Sequence, residues 1–231
     1  MVVVGTAKGD VIAFDSTGKT LWQVKVSTEV SGPPRPPTGR SSCGRSTVAS
    51  TACPTPTAAR SGSIQRTNPP LTVRRFAGGT ASRGALFTGT AGGRLLALDI
   101  ATGALGWEAS VATPKGATEL ERIADVTSAP IVEERQACAA AFQGRVACFD
   151  IVRGTLIWSR DFSSLGGIAV DGRYLYVTDD KGSIHALDKA TGASIWKQDK
   201  LAARFPSGPV SRRRACRCRR RRGLSALARP Q

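Results

Sequence analysis

The sequence predicts an all-β fold, a β-propeller of four-stranded blades, from three observations. A pattern of Gly, Asp, Gly and Trp recurs four times and uses all four tryptophans. Short apolar segments flank each first Gly, as expected for the two strands of a hairpin. The tryptophans lie 85, 51 and 38 residues apart, close to one blade length on average if the longest interval counts as two blades. We therefore expect an incomplete ring of about four to five blades within residues 1–210.

Each part of the pattern predicts one structural element. The first Gly turns one strand into the next, and the Asp closes the second strand. The Asp side chain and the second Gly form a tight turn, in which Gly adopts a positive φ without strain. The Trp lies on a third strand, where its ring fills the space between neighbouring sheets. The residues assigned these structural roles are Gly9, Asp15 and Trp22; Gly93, Asp99 and Trp107; Gly144, Asp150 and Trp158; and Gly182, Asp188 and Trp196.

Residues 35–63 interrupt the repeat at the place where the spacing predicts a further Trp, near residue 62. The segment is rich in Ser, Thr, Arg, Pro, Ala and Cys and has neither strand-like nor helical periodicity. One interpretation is a disordered, loop-like segment. The interpretation that we favour is translation out of frame, because a shifted frame permits the repeat to return, with a Trp falling across Ser61 and Gly62.

Positive charge is concentrated in two segments that contain no acidic residue. The net charge is +16, and thirteen arginines within 35–60 and 211–231 account for all but +3 of it. Such charge ordinarily indicates a nucleic-acid partner. The Arg-rich tail at 211–231 also permits the repeat in a shifted frame, so we predict an out-of-frame, disordered tail and no nucleic-acid partner. The alternative is a genuine basic interaction tail.

The residue types do not predict an active site. The only histidine, His185, has no Cys or His near it at metal-ligand spacing. The Asp residues of the repeat occupy equivalent positions, whereas acid/base catalysis needs two carboxylates in different environments. We expect no enzymatic activity, no metal and no cofactor.

Two cysteines are predicted to lie on facing strands of one hairpin. With the turn centred on Gln143 and Gly144, Cys148 lies opposite Ala139 and diagonal to Cys138. A disulfide formed in an oxidising compartment is one interpretation. We favour the other, two small buried apolar side chains.

The sequence as printed predicts neither a membrane span nor a targeting segment. No apolar run approaches the ~20 residues needed to cross a bilayer as a helix. Met1 leads directly into an apolar strand without a charged region or cleavage site. We expect no transmembrane segment, no export signal and no lipidation cysteine in this chain.

Residues 65–210 resemble the BamB family of outer-membrane assembly factors, lipoproteins with quinoprotein-like propeller repeats. The resemblance is carried by two connections between blades and one hairpin, at 65–74, 114–126 and 141–150. It implies a non-enzymatic scaffold of the β-barrel assembly machine at the periplasmic face of the outer membrane. Quinone-dependent dehydrogenases share the repeat, and a fragment of such an enzyme is the alternative. Their adjacent-cysteine pair and calcium-binding cluster are missing from this sequence.

The resemblance also implies a partner-binding site on two inter-blade loops. In this family a Leu-x-Leu-Arg element and an Asp-x-Asp element contact the central barrel subunit, a BamA-like protein. The implied partners are that subunit and unfolded outer-membrane proteins. Without the resemblance, the apolar residues of the first element would be assigned to a blade strand. The corresponding residues here are Leu71, Val73 and Arg74 on the first loop, and Asp125 and Thr127 on the second, where Thr leaves Asp125 as the only acid of the element.

Overall fold

The computed structural model describes residues 2–6, 8, 10–25, 40–43, 51–54, 69–73, 78–204, 206–211, 216–219 and 225–228. Within these ranges the regular elements are all β-strands. No helix in the described part of the chain is long and apolar enough to span a bilayer. The predicted all-β class is confirmed.

The strands follow one another along the chain in short antiparallel runs. Their bounds are β1 Val2–Gly5, β2 Asp10–Phe14, β3 Thr20–Lys25, β4 Arg40–Cys43, β5 Thr51–Pro54, β6 Thr80–Ser82, β7 Ala85–Thr90, β8 Arg94–Asp99, β9 Leu105–Ser110, β10 Ile131–Glu133, β11 Gln136–Ala140, β12 Val146–Asp150, β13 Leu156–Arg160, β14 Ile168–Asp171, β15 Tyr174–Thr178, β16 Ile184–Asp188, β17 Ser194–Gln198, β18 Val210–Ser211, β19 Cys216–Arg219 and β20 Ser225–Ala228.

Each sheet pairs its strands in chain order, and three sheets are complete four-stranded blades. We call β6–β9 blade A, β10–β13 blade B and β14–β17 blade C. Partial sheets are formed by β1–β3, β4–β5 and β18–β20. The first strands contact one another in succession, β6 with β10, β10 with β14 and β14 with β18. This stacking of meandering sheets along their inner strands is the arrangement of a propeller and confirms the predicted architecture.

The core lies between neighbouring blades. Ala137, Ala139 and Ala147 of blade B pack against Phe87 and Leu95 of blade A in one apolar cluster. The other face of blade B packs against blade C in a second cluster. Because the middle strands are covered on both faces, their burial is continuous along β8 and β12 instead of alternating.

Sequence reasoning missed the first strand of every blade. Strands β6 and β10 have only three residues each, and all six are half-buried, so they show no alternation that a sequence pattern can detect. The structure therefore corrects one prediction. In the three complete blades, the recurrent Trp lies on the fourth, outermost strand, and the third strand is the one that ends at the recurrent Asp.

The predicted Asp turns are present in all four copies. The Oδ1 atom of Asp188 accepts the backbone N–H groups of Ala190 and Thr191 at 3.0 and 3.1 Å. Asp15, Asp99 and Asp150 accept equivalent bonds. The glycines that complete the turns all have positive φ, as predicted: Gly18, Gly103, Gly154 and Gly192.

The first Gly of the repeat has a positive φ in blades A and C, at 75° for Gly93 and 92° for Gly182, whereas in blade B it is required for close packing alone. In blade B, Gln143 has the positive φ of the turn, at 48°. A Cβ built on Gly144 would lie 2.4 Å from the Cβ of Ala112 in the preceding inter-blade connection. The glycine therefore provides the space through which one blade's connection passes the next blade's hairpin.

Each outer-strand Trp between complete blades docks onto the Asp turn of the next blade. The indole N–H of Trp107 donates to Ile151 O at 2.8 Å, and that of Trp158 donates to Lys189 O at 2.9 Å. A Cβ on Gly192 would lie 2.5 Å from the ring of Trp158. We call this arrangement the Trp–turn contact. It explains why Trp and the second Gly recur together, because the ring of one blade occupies the space left by the glycine of the next.

The other two tryptophans do not complete this contact. The Nε1 atoms of Trp22 and Trp196 are buried and have no hydrogen-bond partner among the described residues. The sequence that follows each of them, through residues 30–91 and 200–231, contains no Asp or Glu. An Asp turn of the kind that receives Trp107 and Trp158 is therefore not encoded in the next blade position as the chain is written.

The two cysteines are joined by a disulfide, which corrects the favoured prediction of two buried thiols. Cys138 and Cys148 are direct cross-strand partners on β11 and β12, and Cys148 does not lie opposite Ala139. The predicted register was displaced by one residue, because Ala139 pairs with Ala147. Direct pairing brings the two β-carbons close enough for a sulfur–sulfur bond, which the diagonal arrangement does not.

Short paired strands lie in the irregular segment and in the tail where the structure describes them. Arg40–Cys43 pairs with Thr51–Pro54 inside the segment that was expected to be loop-like. In the tail that was expected to be disordered, Cys216–Arg219 pairs with both Val210–Ser211 and Ser225–Ala228. In these strands, backbone N–H and C=O groups form hydrogen bonds with the paired strand instead of with water. Gly9 of the repeat lies outside the described residues.

Candidate partner-binding site

The strand order of the blades places two kinds of loop at opposite ends of the structure. Inter-blade connections and the turns between second and third strands meet at one end, which we call the loop face. The turns between first and second strands and the Asp turns meet at the other end, the turn face. Antiparallel strands fix this assignment, since each strand reverses the direction of the one before it.

The first predicted element lies on the loop face. Leu71 is 42% exposed, and Thr72 beside it is also exposed. Val73 is half-buried, and Pro69 lies against Gly92 in the turn between β7 and β8. The loop therefore presents one apolar side chain to solvent while its two ends rest on blade A.

Asp125 fastens this loop to blade A. Its Oδ2 atom accepts the backbone N–H of Val73 at 2.6 Å, and its Oδ1 atom accepts that of Gly92 at 2.8 Å. The side chain is only 4% exposed. One carboxylate thus joins three segments, the 69–73 loop, the turn of blade A and the connection to blade B. Charge-assisted bonds of this kind are stronger than bonds between neutral groups.

The backbone around Asp125 continues the linkage between blades. The N–H of Val126 donates to Thr90 O at 3.2 Å, and the N–H of Phe142 donates to Asp125 O at 2.8 Å. Residues 125 and 126 therefore connect blade A with the hairpin of blade B through both main chain and side chain.

Thr127 has a similar interior position. It is 5% exposed, and its hydroxyl donates to Ser164 O at 3.1 Å. The Ser164 hydroxyl in turn donates to Thr178 O at 2.6 Å in blade C. This hydrogen-bonded chain runs across the loop face from one blade to the next.

The structure brings the two predicted elements together but separates their roles. Leu71 is on the surface, whereas the polar side chains of Asp125 and Thr127 point inward and are occupied by internal bonds. Asp125 is the only acid of the second element, and its two carboxylate oxygens accept bonds from two backbone amides. Arg74 lies outside the described residues.

Sequence reasoning missed Gly92 and Ser164, which complete the linkage. Gly92 and Gly93 both have positive φ, at 77° and 75°. The doubled glycine was a detectable signal, because the other copies of the turn have a single Gly at this place. Ser164 does not occupy a position of the repeat, and its local sequence contains no signal that predicts its role.

The titratable groups elsewhere have structural roles. The Nε2 atom of His185 lies 3.0 Å from Asp179 Oδ2, and its ring packs on Phe162 with 4.6 Å between centroids. The backbone N–H of Thr191, and then the guanidinium of Arg173, hold the pKa of Asp188 below its usual value. Among the described residues, no group of three or more His, Cys, Asp or Glu side chains is placed to hold a metal ion.

Comparison with known proteins identifies the family. The sequence profile described as outer membrane protein assembly factor BamB matches residues 1–198. This chain belongs to the BamB family. The outer membrane protein assembly factor BamB of Nitrosomonas eutropha is 44% identical over 208 residues, which is 90% of this chain and 51% of that relative. The chain thus spans about half the length of the curated BamB relatives that it matches.

Solved structures agree on the fold. BamB from Moraxella catarrhalis superimposes with a TM-score of 0.88 at 23% identity, covering 98% of this chain and 72% of that one. A europium-containing methanol dehydrogenase reaches a TM-score of 0.66 at 15% identity, covering 84% and 48%. At these identities the likeness shows a shared propeller fold, and it carries no information about dehydrogenase activity.

Proposed function

We propose that this chain is a non-enzymatic scaffold of the outer-membrane β-barrel assembly machine, which binds the central, BamA-like barrel subunit through its loop face. The observation that carries the proposal is the exposed Leu71 on a loop that Asp125 holds in place by two backbone bonds. Membership of the BamB family supports it. An exposed apolar side chain on a fixed loop supplies contact area to bury, and the arginine that follows in the sequence belongs to the residue types enriched at interface hot spots.

In this proposal Leu71 and Arg74 contact the partner, and Val73 contributes the apolar edge of the loop. Asp125 and Thr127 contribute by positioning, because their side chains are buried and bonded within the molecule. Holding the loop before binding lowers the ordering cost that association would otherwise include.

The absence of catalysis is part of the proposal and is supported by how the carboxylates are used. The Asp residues of the repeat are engaged by backbone N–H groups in turns. His185 is buried against Asp179 and Phe162. A fragment of a quinone-dependent dehydrogenase is the second candidate, but its only support is the shared fold.

The proposed location is the periplasmic face of the outer membrane. Its support is the family, whose members are named as outer membrane protein assembly factors, together with the disulfide between Cys138 and Cys148. Disulfides persist in oxidising compartments such as the periplasm. Unfolded outer-membrane proteins are proposed as further partners, on the basis of the family alone.

The test is direct binding of the full chain to the purified central barrel subunit by titration calorimetry. Arg74→Glu is expected to weaken binding about 30-fold, equivalent to about 2 kcal/mol, since a forked cationic donor is replaced by a repelling carboxylate. The matched control is Arg83→Glu, which makes the same charge reversal on the exposed turn between β6 and β7 at the turn face. Undiminished binding by Arg74→Glu, or no binding by the unmodified chain, would refute the proposal.

A further inference from the structure

The connection between blades A and B contains an exposed leucine at the tip of a tightly bonded loop. We infer that Leu120 is a second apolar anchor for the central barrel subunit and inserts into an apolar pocket on it, beside the surface that receives the 69–73 loop. This inference rests on the proposed function and extends it, because neither the Leu-x-Leu-Arg nor the Asp-x-Asp element includes Leu120.

The first observation is exposure. Leu120 is 66% exposed, more than Leu71. The other exposed leucines of the complete blades, Leu105 and Leu156, lie on the outer strands β9 and β13. Leu120 instead lies in a connection on the loop face. An isolated exposed leucine is ordinary on a protein surface, so its exposure alone does not decide its role.

The second observation is that this exposed loop is closed by hydrogen bonds among its own residues. The Glu121 carboxylate accepts the backbone N–H groups of Ala117 and Thr118 at 2.9 and 3.2 Å. The Thr118 hydroxyl accepts the N–H of Glu121 at 3.3 Å. This reciprocal pair is the capping-box arrangement. The same backbone bonds, that of Thr118 first and then that of Ala117, lower the pKa of Glu121, so it remains ionised as the acceptor.

A second set of bonds closes the loop on its other side. The Arg122 Nε–H donates to Gly116 O at 3.1 Å, and its Nη1 lies 3.3 Å from Glu119 Oε1. With its amide nitrogen facing the loop, Gln143 donates to Leu120 O and Ile123 O at 3.2 and 2.9 Å. The loop that presents Leu120 is therefore fixed to the hairpin of blade B.

The third observation is a common base for the two loops. Only four residues separate Leu120 from Asp125, which carries the bonds to the 69–73 loop. Both loops therefore lie on the loop face and are attached to the same hydrogen-bonded residues. A partner that covers the 69–73 loop meets a neighbouring hydrogen-bonded loop with an apolar tip.

The surroundings of Leu120 indicate the chemistry of the matching pocket. Lys115, Glu119 and Arg122 around it are exposed and carry both signs of charge. An apolar centre with a charged rim is the composition of a protein interface, in which the buried anchor supplies affinity and the rim supplies specificity. The occupant is therefore a folded surface with an apolar pocket bordered by charged groups of both signs.

The test compares two leucine variants in the calorimetric assay with the purified central barrel subunit. Leu120→Asp is expected to weaken binding by about tenfold or more, since a charge is forced into an apolar pocket. Leu105→Asp is the matched control, because Leu105 is 42% exposed on an outer strand away from the loop face. Its affinity is expected to stay within about twofold of the unmodified chain.

A second pair of variants tests the rigidity of the loop without changing Leu120. Glu121→Ala removes the acceptor of two backbone bonds and is expected to weaken binding about three- to tenfold. Glu121→Gln keeps an acceptor oxygen and is expected to retain most of the affinity.

Failure of this inference can be distinguished from failure of the proposed function. If the unmodified chain binds and Leu120→Asp binds equally well, Leu120 is not an anchor, and the proposed function stands. Equal weakening by Leu120→Asp and Leu105→Asp would also overturn the inference, because the effect would then not depend on the loop face. If the unmodified chain does not bind, both are overturned.

Discussion

Replacing Trp158 with alanine is expected to lower the free energy of unfolding by about 3–5 kcal/mol, the range for removing a large buried aromatic side chain. The indole is buried between blades B and C, bonds to Lys189 O and fills the space beside Gly192. The measurement is urea-induced unfolding followed by tryptophan fluorescence and circular dichroism. Trp158→Phe retains most of the ring but loses the N–H donor, so it is expected to lose about 1–2 kcal/mol.

Two glycine variants separate the Trp–turn contact from the stability of the turn itself. Gly192→Ala places a Cβ 2.5 Å from the Trp158 ring, whereas Gly18→Ala, in a turn with a similar positive φ, meets no atom within 4 Å. Gly18→Ala is therefore expected to cost only the unfavourable φ, about 1 kcal/mol, and Gly192→Ala clearly more. Equal destabilisation by the two variants would show that packing of the Trp158 ring does not require the absence of a Cβ at residue 192.

Replacing Asp125 with alanine is expected to weaken binding to the central barrel subunit about tenfold, although the side chain does not reach the surface. The variant leaves the N–H groups of Val73 and Gly92 without their acceptor and releases the 69–73 loop. An unpaired buried donor costs about 1–3 kcal/mol, so the melting temperature is also expected to fall. The measurements are calorimetric affinity and thermal unfolding of the same preparation.

The control for Asp125 is Asp150→Ala. Asp150 also accepts two backbone N–H groups, but its turn lies on the turn face, away from the proposed interface. It is expected to lower the melting temperature and leave the affinity unchanged. If Asp150→Ala reduced the affinity as much as Asp125→Ala, general destabilisation and not loop positioning would explain the loss.

The sequence predicted the parts of the fold that repeat. Asp, Gly and Trp recur at fixed intervals because the Trp ring of one blade occupies the space above the glycine of the next blade's turn. The inner strands β6 and β10 could not be predicted in this way. Their residues are few and half-buried, and they are held mainly by pairing with the second strand.

The candidate site was likewise predicted only in part from the sequence. Leu71 and Asp125 were located from the sequence, but their roles depend on contacts between segments 52 residues apart, which no local pattern records. The disulfide was missed because a one-residue change of register decides whether Cys138 and Cys148 face each other.

The reading-frame hypothesis for 35–63 and 211–231 stays a prediction. One structural feature bears on it: within the described part of the chain, the indole N–H groups of Trp22 and Trp196 have no acceptor. In the blades between them, the Asp turn of the following blade supplies that acceptor.

The most direct test of the account is site-specific photo-crosslinking within the intact assembly machine. A photoreactive amino acid at Thr72 samples the exposed loop beside Leu71, and the same amino acid at Val152 samples an exposed position on the turn face. Binding through the loop face predicts a covalent adduct with the central barrel subunit from position 72 and none from position 152. An adduct from position 152 alone, or from neither position, would contradict it.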